Sequence, residues 1–496
     1  MKIAKIVAAF VVVAQMNYAL SQDETDALRW SQSFFGGSAR SMGMAGSFSA
    51  LGADVGAMAT NPAGLARFSK GVFSITQGFQ NTVFNSTYVG NESSVSRLGL
   101  PIQGMALVMN TPKMNEYGWK SVQTTFAFNR LASFHGRKYY EGVNYQSLLD
   151  VFAEQGFGVS TSDLAFDRAF TTNLGWQTFA LDDVQNSFFE TEYLPRLDGG
   201  DSMYHRRTIE TRGGISEYSF AVSGNYNNSL YIGGSINLQN IRYFENMSHS
   251  EEIVNPGSFS LRSFNYDFNL ESRGVGANVK LGMIWLPSDE MRVGLSVHTP
   301  TAIWFRENYN ADMTAFHDFG TVTTPASSIP RGDFRYRFRS PARITGSLAY
   351  VFEKRLAMNI DLELVDYGRA TFQTSNNIFY QNNFSFENAM VNDFYRAVVN
   401  TRLGMEYAMT PEWFIRGGYA LYPRAIDNRH KNAAEGNHFF GAGIGYRKGT
   451  FALDIAFLHH RASSEYYGFN PEDSVNQVIF NQRRNSLVVT LGFRFE

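Results

Sequence analysis

The 496-residue chain contains no cysteine. That excludes disulfides, thiolate metal sites, a cysteine nucleophile and a lipid-modified cysteine. An exported chain without disulfides needs another means of closure, and a closed barrel supplies one. No sign of charge dominates: 43 Lys+Arg stand against 45 Asp+Glu, with no basic block. Nucleic acid is therefore not an expected partner. Beyond the N-terminus no apolar run approaches the roughly 18 residues of a transmembrane helix. Mean hydropathy is −0.24. A soluble protein would share that value, and so would a transmembrane barrel, because half of each strand is polar.

Aromatic residues are what the chain has in excess. They make up 15% of it, with 43 Phe and 25 Tyr, which suits girdles at two membrane interfaces. The N-terminus reads as a secretory signal over residues 1–21. Lys2 and Lys5 precede the short apolar stretch Ile6 to Ala14, and Ala19 and Ser21 place small residues before Gln22. A plain N-terminal anchor is the other reading.

The remainder alternates with period two. In Leu487-Val-Val-Thr-Leu-Gly-Phe-Arg-Phe495, Leu487, Val489, Leu491, Phe493 and Phe495 share one face; Thr490, Gly492 and Arg494 share the other. From Arg355, the apolar face is Leu356, Met358, Ile360, Leu362 and Leu364, and the opposite face is Ala357, Asn359, Asp361 and Glu363. A soluble sandwich could alternate in the same way around a dry core. Connection lengths separate the two. About 14 strands are expected between residues 71 and 496. Short turns, at Asn227-Asn228, Glu353-Lys354 and Lys448-Gly449 among others, take turns with long polar loops such as 134–200, 313–334 and 373–394. Outer-membrane barrels show this asymmetry, with tight periplasmic turns and long extracellular loops. The expected fold class is thus all-β: a transmembrane antiparallel barrel of about 14 strands, multi-pass in the outer membrane of a Gram-negative bacterium. Ser147 to Gln155 fits a short amphipathic helix and Leu164 to Phe170 is read as another, so the 134–200 insertion is expected to make a partly helical extracellular cap.

The same alternation assigns charges to the lumen face: Lys280, Arg292, Arg343, Asp361, Glu363, Arg402, Glu406, Arg416, Asp454 and Arg494. A mixed ladder suits a narrow lumen crossed by ion pairs. Ordinary solvated positions are the alternative.

Residues 22–70 do not read as strand. Gly36 to Leu51 is small and glycine-dense, including Gly37, Met42, Gly43, Met44, Gly46 and Phe48, and Asn61-Pro62-Ala63-Gly64-Leu65 follows. Glycine permits close packing, and Pro62 removes a ladder donor. The segment is either a plug inside the barrel or a periplasmic leader. Here the chain resembles a known family. The glycine-rich stretch followed by Asn61 to Leu65 looks like the N-terminal hatch of the FadL/TodX outer-membrane channels. Pro341 to Tyr350, Asp366-Tyr367, Arg402 to Tyr407, Trp413 to Tyr419 and Phe440 to Tyr446 resemble the family's strands. The resemblance implies a fourteen-stranded barrel plugged by its hatch. It also implies passive uptake of long-chain fatty acids, aromatic hydrocarbons or other hydrophobic molecules, with hatch movement and lateral release into the membrane. A pocket lined mainly by apolar side chains is then expected above the hatch, and Arg or Lys in it would suggest a carboxylate. Outer-membrane lipids and the barrel-assembly machinery are expected partners, the latter meeting Phe493 and Phe495. A monomer without cofactor is expected. The chain departs from the family's pattern in ending Phe495-Glu496, with its terminal aromatic penultimate, and in the length of its 134–200 insertion.

No motif points to an enzyme. Gly441-Ala442-Gly443-Ile444-Gly445 lacks the following helix of a dinucleotide fold. His459-His460 are neighbours on a strand and point to opposite faces. Arg331-Gly332-Asp333 is an adhesion-like tripeptide best explained by chance, and Asp198 to Asp201 has an incomplete cation-ligand pattern. The competing function is a non-transport barrel of the same family, acting as a scaffold or secretion partner for surface proteins. A hydrophobic tunnel through the hatch would favour transport; a blocked lumen under apolar loops would favour the scaffold.

Overall fold

The computed structural model describes residues 24–113, 115, 117–187, 190–198, 201–375, 384–430, 435–468 and 477–495. The expected signal segment 1–21 lies outside them. Fourteen antiparallel strands close on themselves, the last pairing with the first from Gly71↔Phe495 to Tyr88↔Val478. Closure pairs the first strand with the last, so the sheet ends on no free outer edge, as a membrane wall requires.

In chain order the first six strands are β1 (Gly71–Tyr88), β2 (Asn91–Gly99, resuming as Ile102–Pro112), β3 (Trp119–Ser133 and Gly136–Asn144), β4 (Met203–Tyr226), β5 (Leu230–Ile253) and β6 (Leu261–Trp285). Then come β7 (Met291–His298 and Ala302–His317), β8 (Arg331–Arg339 and Arg343–Phe352), β9 (Leu356–Asp366 and Thr371–Thr374) and β10 (Ala397–Ala408). The barrel ends with β11 (Trp413–Tyr422), β12 (Asn437–Lys448), β13 (Phe451–Tyr467) and β14 (Gln477–Phe495).

Alternation sorts the two faces. On β10, Asn400, Arg402 and Glu406 point inward and are buried, while Val399, Leu403, Met405 and Tyr407 are exposed on the outer wall. Aromatic pairs ring the ends with tight turns: Trp119 with Tyr226, Trp413 with Tyr446, and Phe451 with Phe493. That is where a membrane interface would lie. The turn residues Asn227, Asn228, Glu353 and Lys354 all have positive φ, the twist-matched geometry of two-residue hairpins.

β4, β5 and β6 run to 24, 24 and 25 residues, far beyond the roughly 9–11 that cross a bilayer. Their ends project past the membrane. The insertion packs on the inward face of that projection. Helix α2 (Leu148–Gly156) buries Leu149 and Phe152 against Phe264 and Tyr266. Ser147 caps it, with Asp150 completing a capping box. Leu164–Asp167 is a single turn; Thr172–Gln177 and a hairpin of Leu181–Ser187 with Glu190–Pro195 complete the unit.

Candidate functional site: the plugged lumen and the broken wall

The segment from 24 to 70 occupies the barrel interior. Helix α1 (Glu24–Ser31) is followed by short turns at Ala39–Gly43, Ala57–Thr60 and the 3-10 helix Pro62–Arg67. Glycine on the wall makes room for it. A Cβ added at Gly418 would sit 2.2 Å from the Met44 carbonyl carbon, and one at Gly282 would sit 1.9 Å from Asn61 Oδ1. Gly441 and Gly443, in the glycine-rich strand β12, lie against Met42 and Gly43 in the same way. Gly37 packs on Gly56 and Gly104, and Gly46 and Gly64 on Phe35 and Ala57. Met42, Met44, Phe48 and Phe35 are buried, and Phe34 is half-buried against Phe439.

Asn61 explains why its motif has that order. Its Nδ2 donates to the Ser49 carbonyl at 2.9 Å and to that of Met283 on β6 at 3.2 Å. Its Oδ1 accepts from Ala63 N, so the same side chain caps the helix that Pro62 begins. Ser223 donates to the Pro62 carbonyl at 2.9 Å.

The inward charges hold this segment rather than line open water. Arg40 grips Glu406 through two bonds, 2.8 and 2.6 Å, and donates to the Ala53 carbonyl. Arg416 donates to Glu406 at 2.6 Å and forms an ion pair with Asp454 at 2.7 Å. Asp361 accepts from Phe48 N and from the Ser49 hydroxyl, and pairs with Arg402, which also reaches Glu363. Arg343 bridges Glu363 and the Ser31 carbonyl. Lys280 pairs with Glu217 at 2.5 Å, and Arg292 donates to the Leu51 carbonyl. Arg494 is different. It shares the inward parity but sits exposed at the rim with the tight turns, opposite Val72. Phe493 and Phe495 lie exposed on the outer wall. Sequence reading missed Glu217 and Arg40. Glu217 stands opposite the exposed Tyr218 and Phe220, so alternation would have found it. Arg40 is the one charge between Gly36 and Leu51.

Above this segment the expected apolar pocket is not what is found. A cavity of about 50 Å³ remains, bordered by Glu217, Lys280, Arg343, Glu363, Arg402 and Thr60 among others. It is polar and far below the roughly 300–1,000 Å³ of a ligand site. The apolar layer lies beside it, and α1 fills that layer. Trp30 packs 4.8 Å from Phe305, edge-on to Tyr243 and Phe134. Helix α3 (Ser385–Phe394) closes the layer with Val391, beside Phe384. The residues 376–383 of the preceding loop lie outside the described ones.

The wall itself is interrupted. β2 breaks at Leu100-Pro101, and its lower half pairs with β3 only from Gly104↔Asn129 to Pro112↔Ser121. A bulge between Arg130 and Ala132 then turns β3. Opposite it, Gly213 has φ 110, and a Cβ there would lie 2.0 Å from the Arg242 carbonyl oxygen. Beyond the bulge, Gly136–Asn144 pairs with β4. Among the described residues no ladder joins it to Asn91–Gly99. Ser86 instead donates to the Tyr139 carbonyl, placing this part of β3 across the inward face of β1. His135 meets the Leu98 carbonyl, and Arg97 donates to that of Gly136. Leu98 and Leu100, 77% and 72% exposed, stand at the break.

Beyond the bilayer, the cap is tied down by a buried polar cluster. Glu251 accepts from the Ser147 hydroxyl, Leu148 N and His249 Nε2. Tyr88 meets His205, and Arg207 donates to His249 Nδ1 at 3.1 Å. Burial, reinforced by Arg207, holds His205 down to about 3 and His249 well below the usual range. Burial pushes the Glu251 carboxyl up to about 8. Release of the cap would return these groups to water. The two imidazoles would then gain protons below about pH 6.5, so anchoring weakens on acidification. The released carboxyl would lose its proton above about pH 4.5 and the anchored one only near 8, so anchoring also weakens across pH 4.5 to 8. Two histidines outweigh one glutamate below pH 6.5, and the glutamate acts alone above it. Hydrogen-exchange protection of residues 147–156 is therefore expected to peak near pH 6.5. Glu251→Gln should flatten the alkaline limb.

A family model described as "Outer membrane protein transport protein (OMPP1/FadL/TodX)" matches residues 214–496. The chain belongs to this family. It is thus a FadL/TodX-type protein, of a family of outer-membrane transport channels for hydrophobic compounds. Among solved structures it is similar to a Pseudomonas aeruginosa FadL homologue, at 14% identity and TM-score 0.55, covering 94% of this chain and 100% of that one. The Pseudomonas putida toluene transporter TodX is similar at 13% identity and TM-score 0.52, covering 93% and 99%. At such identities these likenesses concern the fold. No curated protein matches the sequence.

Proposed function

We propose that this FadL/TodX-type barrel admits hydrophobic small molecules passively into the outer membrane of a Gram-negative bacterium. Long-chain fatty acids or aromatic hydrocarbons are the expected solutes. The solute enters from outside, displaces α1 and the hatch, and leaves through the wall between β2 and β3. It is not chemically changed, and no energy source is coupled. The observation that carries this reading is the missing ladder between Asn91–Gly99 and Gly136–Asn144. A break there, with Leu98 and Leu100 exposed, offers an apolar solute a path that never enters periplasmic water. The test is uptake of labelled oleate and of labelled alkylbenzene by cells making the chain, against a form lacking residues 36–66 and against empty-vector cells. Uptake of either solute above the empty-vector level supports the channel. Assembled protein that matches the empty vector for both overturns it.

The closed lumen favours a second reading. With a cavity of about 50 Å³ and Phe166, Phe319 and Phe386 exposed on the outer loops, the barrel suits a scaffold for surface proteins. A gate closed at rest looks the same, and the uptake comparison separates the two.

A further inference from the structure

Outward side chains on neighbouring strands form rows around the barrel, and one such row is made of arginine alone. Register places Arg242 on β5 opposite Arg273 on β6, Arg273 opposite Arg306 on β7, and Arg306 opposite Arg335 on β8. All four share the parity of the outer wall, since their chain neighbours Ile241, Ser272, Phe305 and Tyr336 are buried within. Arg242 is exposed, and the side chains of Arg273, Arg306 and Arg335 are 62%, 53% and 42% exposed. Like charges directly opposite one another on a ladder are destabilising. Two carboxylates meet the row from the next outward positions. Glu271 pairs with Arg273 at 2.5 Å, and Asp333 pairs with Arg306 at 2.6 Å and Arg335 at 3.8 Å. The row keeps an excess of positive charge over these two acids. With strands about 4.8 Å apart it extends roughly 14 Å around the barrel.

The outward residues of β6 set its height. From the tight-turn end, Trp285, Met283, Leu281, Val279 and Val275 are all apolar and exposed. That stretch matches the roughly 9–11 residues with which a tilted strand crosses the hydrocarbon. The next outward residue is Arg273. On β7 the exposed Trp304 stands one outward step below Arg306, and tryptophan favours the membrane interface. The arginine row therefore lies at head-group level in the leaflet farther from the tight turns.

We propose that Arg242, Arg273, Arg306 and Arg335 bind the phosphates of a phosphorylated glycolipid of the outer leaflet, of the lipid A type, with its acyl chains lying along the apolar wall below. An anion laid across the row removes the like-charge repulsion, and a guanidinium fork matches two phosphate oxygens at once. A disaccharide head group with a phosphate at each end suits a row longer than one phosphate. This goes beyond the channel reading: it needs the tight turns to be periplasmic, and it does not need transport.

The test uses the full chain in phosphatidylcholine nanodiscs. The probes are fluorescent lipid A carrying both phosphates, the same lipid with both removed, and phosphatidylglycerol. Wild type is expected to bind the bisphosphorylated form best, and the double variant Arg242→Gln/Arg273→Gln to lower that affinity about tenfold. Arg242→Lys/Arg273→Lys should retain most of it. Arg262→Gln, which removes the partner of Asp318 farther out on β6, should leave it unchanged. Heat-modifiable gel mobility checks that each barrel is intact. Bisphosphorylated lipid A should raise the unfolding temperature of wild type and not that of the glutamine double variant. Equal binding of the two lipid A forms overturns the assignment, and so does unchanged affinity in the intact glutamine double variant. Phosphatidylglycerol bound as tightly as lipid A would mean a site for any anionic lipid and would overturn the glycolipid. Labelling of Lys354→Cys on intact cells by an impermeant reagent would place the row in the other leaflet and overturn it as well. None of these readouts involves uptake, so failure of the channel leaves the row in place.

Discussion

Replacing Arg40 by methionine is expected to release the hatch. The guanidinium ties the glycine-rich segment to the wall through both oxygens of Glu406 and steadies the turn at Ala53. Methionine keeps much of the side-chain volume but removes the charge. Glu406 retains Arg416, so the acid is not wholly orphaned, yet the segment loses that bidentate anchor. Breaking a buried pair on one side costs about 3–5 kcal/mol, and the hatch bears most of that loss because the barrel ladder is untouched. Hydrogen exchange should show residues 39–66 losing protection by two or more orders of magnitude, with β10 and β11 unchanged. Uniform loss across the barrel would mean that the pair holds the wall and not the plug.

Trp30→Ala should have an effect of similar size in a different place. The indole fills the centre of an aromatic layer formed by Phe305, Tyr243 and Phe134, and it is only 3% exposed. Truncating a buried aromatic costs about 3–5 kcal/mol. Here the loss falls on the docking of α1, a helix of eight residues too short to hold itself together in water. The freed space is apolar and continuous with the small polar cavity below it. An alkylbenzene or a fluorescent fatty acid should bind the variant more tightly than the wild type. Weaker binding would show that Trp30 belongs to the solute site as a wall and does not occupy it.

Much of this could be read along the chain, and the reason is local. Period-two alternation at 356–364 and 487–495 assigns inner and outer faces without any long-range information. Asn227-Asn228 tolerates the positive φ of a hairpin turn. Long-range facts were less legible. Alternation points Arg402 and Glu406 inward, but not toward Ser47, Arg40 or each other's neighbours, because those partners come from residues hundreds of positions away. In sequence, Gly441 to Gly445 reads only as a glycine-rich strand without the helix of a dinucleotide fold; its meaning is the segment that lies on it. The helices Glu24–Ser31 and Ser385–Phe394 were missed because packing around Trp30 and Val391 stabilises them, not their own periodicity. The strand breaks had a signal that went unread. Pro101, Pro300 and Pro341 each stand in an interruption of a barrel strand, where a residue without an N–H does no harm. Only the first coincides with a loss of pairing between neighbouring strands. That loss is a property of two segments together, and no single window of sequence contains it.

The proposed path stands or falls on that gap, and the absence of native cysteine makes it simple to close. A Cβ at Gly99 would lie 3.1 Å from the His135 ring, so a Gly99→Cys/His135→Cys pair spans the break. The measurement is uptake of labelled oleate by cells carrying this double variant, before and after reduction. Loss of uptake when the disulfide is formed, with recovery on reduction, is the result expected of sideways exit between β2 and β3. Uptake unchanged by a fully formed disulfide would contradict it.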